Sequence, residues 1–139
     1  MAILIALDYG TRRVGIAESD PMQIIASPLC TLSPDETLAL MEKKCHEEHV
    51  EAIVIGEPHH THSIDEEVEV EKDIVAFIER LRAVVPHTVK IERYDERFTS
   101  MIASRALVAG GMKKSRRREK GVLDMTSATI ILQDYMQHR

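Results

Sequence analysis

The stretch Ile3-Leu4-Ile5-Ala6-Leu7-Asp8-Tyr9-Gly10-Thr11 sets five apolar residues in a row and closes them with a carboxylate. A run this apolar reads as a strand buried on both faces of a sheet. An aspartate at its end costs free energy unless something compensates the charge. Gly10 marks a turn and a point where backbone can approach a ligand closely. Val14-Gly15-Ile16-Ala17 returns at hairpin distance. Asp8 is therefore a candidate for chemistry at the edge of a sheet.

Ile24-Ile25-Ala26 and Leu29-Cys30-Thr31-Leu32, divided by Pro28, read as one short strand or a strand interrupted at the proline. With the first two they predict three antiparallel strands. Ser33-Pro34-Asp35-Glu36 opens a helix: a serine N-cap, proline at the first helical position and acids in the first turn. Leu38, Met41 and Cys45 share one face of it. Ala52-Ile53-Val54-Ile55-Gly56 is a second buried strand, and its place after a helix predicts a parallel, right-handed crossover. A long helix follows over 65–83, with Ile74, Phe77, Ile78 and Leu81 at core spacing and Pro86 marking its end. Val89 to Glu96 is the last strand. Thr99 or Ser100 caps the next helix, Gly110-Gly111 stops it, and a final helix runs over about 121–136. The expected architecture is α/β: a mixed five-stranded sheet, three antiparallel strands then two parallel, with helices on both faces and the first strand in the middle. In such a sheet, sites gather outside the carboxyl ends of the parallel strands.

Four acids come forward on that edge, and three of them can converge. Asp8 ends the first strand, and Asp95 and Glu96 end the last. Neighbouring strand residues point to opposite faces, so only one of Asp95 and Glu96 faces Asp8 if the two strands are parallel neighbours. Asp124 starts the apolar stripe Ala128, Ile131, Tyr135 of the final helix, and the small Ala128 permits close docking. Converging carboxylates without basic partners repel one another. Divalent metal relieves that repulsion, and an all-oxygen donor set suits Mg²⁺ or Mn²⁺. Two such ions can activate a water and stabilise a leaving oxygen in phosphodiester hydrolysis.

The chain has 139 residues, 44% hydrophobic and 29% charged, enough for one domain with one core. Its longest apolar run is too short to cross a bilayer, and Met1 leads straight into the first strand, without the pattern of an export signal. Cys30 and Cys45, outside any C-x-x-C pair, read as reduced thiols of a cytoplasmic protein. The net charge of −5 is unevenly spread. Residues 113–120 hold six of the 18 basic residues and one of the 23 acidic ones, leaving 12 basic and 22 acidic residues elsewhere, a balance of −10. The segment 111–120 is expected to be a basic, mobile loop able to meet a polyanion.

Asp8-Tyr9-Gly10-Thr11-Arg12-Arg13-Val14-Gly15-Ile16-Ala17, Ile53-Val54-Ile55-Gly56-Glu57-Pro58, Asp95-Glu96-Arg97-Phe98-Thr99-Ser100 and Lys120-Gly121-Val122-Leu123-Asp124 resemble the signatures of the YqgF (RuvX) family. The resemblance runs in order from about Ile3 to Gln133. It implies a single RNase H-like nuclease domain over 1–139, of the kind described as Holliday junction resolvase or pre-16S rRNA-processing nuclease. It also implies a metal-dependent enzyme whose acidic residues fall on Asp8, Glu96 and Asp124, so that Glu96 rather than Asp95 is the ligand. The chain departs from the family after the Gly-x-Pro turn, where His59-His60-Thr61-His62-Ser63 replaces the usual polar loop with an Asp-Gly or similar pair.

Thr11, Arg12 and Arg13 follow the Gly10 turn, where amides and guanidinium groups can hold phosphate. Arg97 stands beside the proposed metal site. Lys113, Lys114, Arg116, Arg117, Arg118 and Lys120 can meet backbone phosphates, which adds affinity without sequence specificity. With three tyrosines, two phenylalanines and no tryptophan, base stacking is poorly supplied. The expected partner is structured RNA, a pre-rRNA, or branched DNA, recognised by shape and phosphate. No membrane partner is expected. A junction resolvase would act as a homodimer, whereas an rRNA-trimming enzyme could act as a monomer. Two other classes compete with a nuclease. Asp-x-Gly-Thr at Asp8–Thr11 is also similar to the phosphate site of sugar kinases and actin-like ATPases, which enclose their nucleotide between two such domains. A non-catalytic binding module is the other.

Overall fold

The computed structural model describes residues 1–57, 64–95 and 120–138. Within them lie strands β1 (Ile3–Asp8), β2 (Val14–Ser19) and β3 (Ala26–Leu32), helix α1 (Pro34–Glu47), strand β4 (Val50–Glu57), helix α2 (Ile64–Val84), strand β5 (Lys90–Asp95) and helix α3 (Lys120–His138). The expected helix after Thr99, the Gly110-Gly111 stop, the segment 111–119 and the histidine loop lie outside the described residues. The five strands form one sheet in the order β3-β2-β1-β4-β5. β1 pairs antiparallel with β2 and parallel with β4, β2 antiparallel with β3, and β4 parallel with β5.

The central position of β1 explains its composition. Ile3, Ile5 and Leu7 face one side, in a cluster with Leu38 and Met41 of α1 and Ile74, Phe77 and Leu81 of α2. Leu4 and Ala6 face the other, with Ala52 and Val54 of β4 and Ala128, Ile131 and Leu132 of α3. Both faces are covered, so the strand carries no polar alternation. The α3 face is lined by small residues, Ala6, Ala17 and Ala52 against Ala128, which lets a helix axis come close to the sheet.

Local signals account for the element boundaries. The Ser33 side chain accepts from the Glu36 amide while the Glu36 carboxylate accepts from the Ser33 amide, a reciprocal cap on α1. α2 ends at Val84, two residues before Pro86, as the proline requires.

β3 is one strand, and its proline sits on the sheet edge. Pro28 lies opposite Ala17, and the register shifts between Ile16 and Ala17. An edge strand tolerates the missing amide, and a bulge absorbs the local misfit. Ile24 and Ile25 precede the strand. They stand exposed in a turn that Asp20 organises by accepting from the amides of Met22, Ile24 and Ile25. Gln23 adopts φ 56° there, the only described non-glycine residue with positive φ.

Candidate active site

The row of paired residues at the end of the sheet runs Gly15, Asp8, Gly56, Tyr94 across β2, β1, β4 and β5. Asp8 has the same phase as Leu4 and Ala6, so it belongs to the face covered by α3. Tyr9, one residue on, packs on the opposite face, its ring 5.0 Å from that of Phe77. Asp8 is half-buried where the strand ends, and it is flanked by a glycine on each neighbouring strand.

Gly15 brings the second aspartate to this row. A Cβ added at Gly15 would overlap the Asp124 backbone carbonyl and lie 2.8 Å from the Asp124 Cβ. The first turns of α3 therefore rest directly on the β2 backbone, at the residue paired with Asp8. Asp8 and Asp124, 116 positions apart in the chain by their numbers, both lie against Gly15, one as its strand partner and the other over its open face. Beyond Asp124 the helix runs along its buried stripe, with Ser127, Ala128, Ile131 and Leu132 almost fully covered and Tyr135 packed at the margin.

Asp124 also has a cationic partner that charge counting along the sequence did not reveal. Arg13 Nε donates to Asp124 Oδ2 at 2.5 Å, and the two side chains are 36% and 22% exposed. The site thus carries its own positive charge, which corrects the expectation of carboxylates converging without a basic partner. The only sequence signal for it was the location of Arg13 at the hairpin turn, on the edge of the sheet where Asp8 emerges.

The last strand is not a neighbour of the first. β4 lies between them, so β5 stands roughly 10 Å from β1, two strand spacings away. Tyr94 shares the row and the α3 face with Asp8, packing at the margin of that cluster, whereas Arg93 turns to the other face and forms a bidentate pair with Glu71 of α2. Position 95 closes the strand, and Glu96 lies outside the described residues. Thr11 and Arg12 are exposed on the turn that leads to Arg13. Lys120 opens α3. Arg97, Lys113, Lys114, Arg116, Arg117 and Arg118 lie outside the described residues. Among the described residues no group of three or more histidine, cysteine or acidic side chains forms a metal cluster, and Asp8 and Asp124 are the two expected ligands within that set.

A family model described as "RuvX: Holliday junction resolvase" matches residues 2–138. A protein of Amoebophilus asiaticus named "Putative pre-16S rRNA nuclease" is 44% identical over 136 residues, spanning 98% of this chain and 94% of that protein. Its namesake in Phocaeicola vulgatus is 40% identical over 139 residues, spanning 100% and 98% of the two chains. Among solved structures, the yeast mitochondrial Holliday junction resolvase Ydc2 superposes with a TM-score of 0.56 at 9% identity, over 96% of this chain and 77% of that one. RuvC of T. thermophilus, in complex with a Holliday junction substrate, gives 0.51 at 15% identity, over 99% and 96%. At those identities the structural likeness speaks for the fold alone, an RNase H-like sheet with the strand order described above.

Proposed function

The chain belongs to the RuvX family and is a nuclease acting on phosphodiester bonds, and from that premise we propose that it processes the 5′ end of pre-16S rRNA with divalent metal held by Asp8, Glu96 and Asp124. The single observation behind the proposal is the juxtaposition of Asp8 and Asp124 across Gly15. Two aspartates at a partly exposed sheet end offer hard oxygen donors, which fits Mg²⁺ or Mn²⁺. For the third ligand, β5 ends at Asp95 and brings Tyr94 to the face of Asp8. Glu96 itself lies outside the described residues, and the family resemblance is what selects it over Asp95.

Bound there, two such ions would supply Lewis-acid stabilisation of charge at the phosphoryl group and ease deprotonation of the attacking water. The chain's own part is to hold the carboxylates in register and to present phosphate contacts around them. Thr11 and Arg12, exposed beside the site, would meet the backbone of the substrate near the scissile bond. Arg97 and the basic run Lys113, Lys114, Arg116, Arg117, Arg118 and Lys120 would extend that contact along the strand. RNA is preferred as substrate because the sequence relatives, at about 40% identity over their full length, carry an rRNA-processing name. A ribosomal precursor would also set the work in the cytoplasm.

A second reading, cleavage of four-way DNA junctions, is favoured by the description of the family model. One experiment addresses both. A transcript carrying the 5′ flank of 16S rRNA and a four-way DNA junction are incubated with Mg²⁺ and wild-type, Asp8→Asn or Asp124→Asn protein. The expected outcome is cleavage of the transcript by wild type, with a loss of at least about 100-fold in both variants, of the size seen when a group stabilising transition-state charge is removed. Cleavage of the junction alone would move the substrate to DNA. Undiminished cleavage by Asp8→Asn would remove that residue from the mechanism.

A further inference from the structure

Arg13 occupies the place where the proposed chemistry puts a cation. Its Nε donates to Asp124 Oδ2, and the pair closes a separation of 111 residues in sequence. The turn that carries it is tightly wound, because a Cβ added at Gly10 would sit 2.8 Å from the Arg13 carbonyl oxygen. That turn joins the end of β1, where Asp8 lies, to the start of β2, where Gly15 supports Asp124. The turn thus fixes the Arg13 backbone, and the Asp124 carboxylate holds its guanidinium.

A divalent ion drawn to Asp8 and Asp124 would meet this charge beside one of its ligand oxygens. Like charges at that range oppose each other, so ion and guanidinium compete for Asp124. A guanidinium that gives up a carboxylate is well suited to take a phosphate, since both accept its forked donors. Resting on the reading of the metal site given above, we propose that Arg13 is a positioning residue and built-in counter-ion. It holds Asp124 in place while no metal is bound, yields Asp124 Oδ2 to the incoming ion, and then turns to a phosphate of the nucleic acid. The role goes beyond the three carboxylates, because it makes metal binding and substrate binding cooperative through one side chain.

The test needs no turnover. Mn²⁺ alone, without nucleic acid, is titrated into wild type, Arg13→Gln, Arg13→Met and Arg80→Gln, with free Mn²⁺ followed by paramagnetic resonance. Unfolding temperature is recorded with and without Mn²⁺. Methionine retains an apolar stem, so it serves if glutamine packs badly. Removing the competing charge is expected to tighten Mn²⁺ binding about two- to fivefold, the range of a partly exposed ion pair. Without Mn²⁺ both Arg13 variants should melt below wild type, and they should gain more than wild type when Mn²⁺ is added. Arg80 pairs with Asp35 between α2 and α1, so Arg80→Gln should bind Mn²⁺ as wild type does. Equal or weaker Mn²⁺ affinity in folded Arg13 variants overturns the counter-ion role while leaving the metal site standing. Absence of Mn²⁺ binding from wild type and variants alike removes the metal site and this inference together.

Discussion

A single methyl group at position 15 is the smallest change that would push the two aspartates apart. Gly15 is paired with Asp8 on one side, and its missing Cβ makes room for the Asp124 backbone on the other. The clash is with main chain, so no side-chain rotation relieves it, and α3 must shift as a body. Gly15→Ala is expected to cost about 1–3 kcal/mol of stability, as overpacking of a tight interior does. It is also expected to weaken Mn²⁺ binding, because it moves one ligand relative to the other. Urea unfolding and Mn²⁺ titration measure the two effects separately, and a variant as stable as wild type would show that α3 does not rest on β2 as described. The glycine itself was visible in the motif Val14-Gly15-Ile16-Ala17, but its function was not. The residue that demands it lies more than a hundred positions away, and no local pattern encodes that contact.

At the scale of elements, the chain's own punctuation was legible wherever the cause was local. Ser33, Pro34 and Glu36 announce the start of α1, and the structure contains the reciprocal cap they imply. Ser33→Ala should lower stability by about 1 kcal/mol, read as a shift in urea midpoint with unchanged slope. The apolar spacing of Ile74, Phe77 and Leu81 in α2 and of Ala128 and Ile131 in α3 likewise marks the residues that are buried. What local pattern could not supply was adjacency. β1 and β5 both end in carboxylates, yet β4 stands between them, because strand order is decided by crossovers rather than by the composition of strand ends. Ile24 and Ile25 read as strand from their β-propensity, but Asp20 captures the backbone in front of β3 and leaves both in a turn. The Asp20 carboxyl is held below its ordinary 3.8, first by the Ile25 amide and further by the amides of Ile24 and Met22. A depressed native value means that its contribution is complete above 3.8 and is lost as pH falls through the native value. Asp20→Ala should therefore destabilise the protein at neutral pH, and the difference from wild type should shrink as acid is added. Urea midpoints measured across pH 2–7 would show a constant difference instead if the turn owed nothing to the charged carboxylate.

For the whole molecule, charge is segregated along the chain. A net balance of −10 over most of the sequence repels a polyanion, while six basic residues within 113–120 attract one. The described residues add few cations at the candidate site. Arg13 there is engaged with Asp124, and Arg12 stands exposed on the neighbouring turn. On the proposed reading, long-range attraction of nucleic acid falls mainly to the basic run, and the carboxylates contribute repulsion until metal offsets it. This division has a measurable consequence in salt. Each phosphate contact made by a basic side chain releases counter-ions, and the logarithm of affinity then falls with the logarithm of salt by about 0.7 per contact on single strands and about 0.9 on duplex. Replacing Arg116, Arg117 and Arg118 together by glutamine should reduce that slope by about 2 to 3 and weaken binding most at low salt. Asp8→Asn should leave the slope close to that of wild type, because it removes no cation. The measurement is a fluorescence-anisotropy titration of the 16S rRNA 5′-flank transcript at several salt concentrations, with Ca²⁺ in place of Mg²⁺ so that the transcript is not consumed. An unchanged slope in the triple variant would mean that the run does not touch phosphate, and attraction would then have to come from Arg12, Arg97 and the metal-loaded site itself.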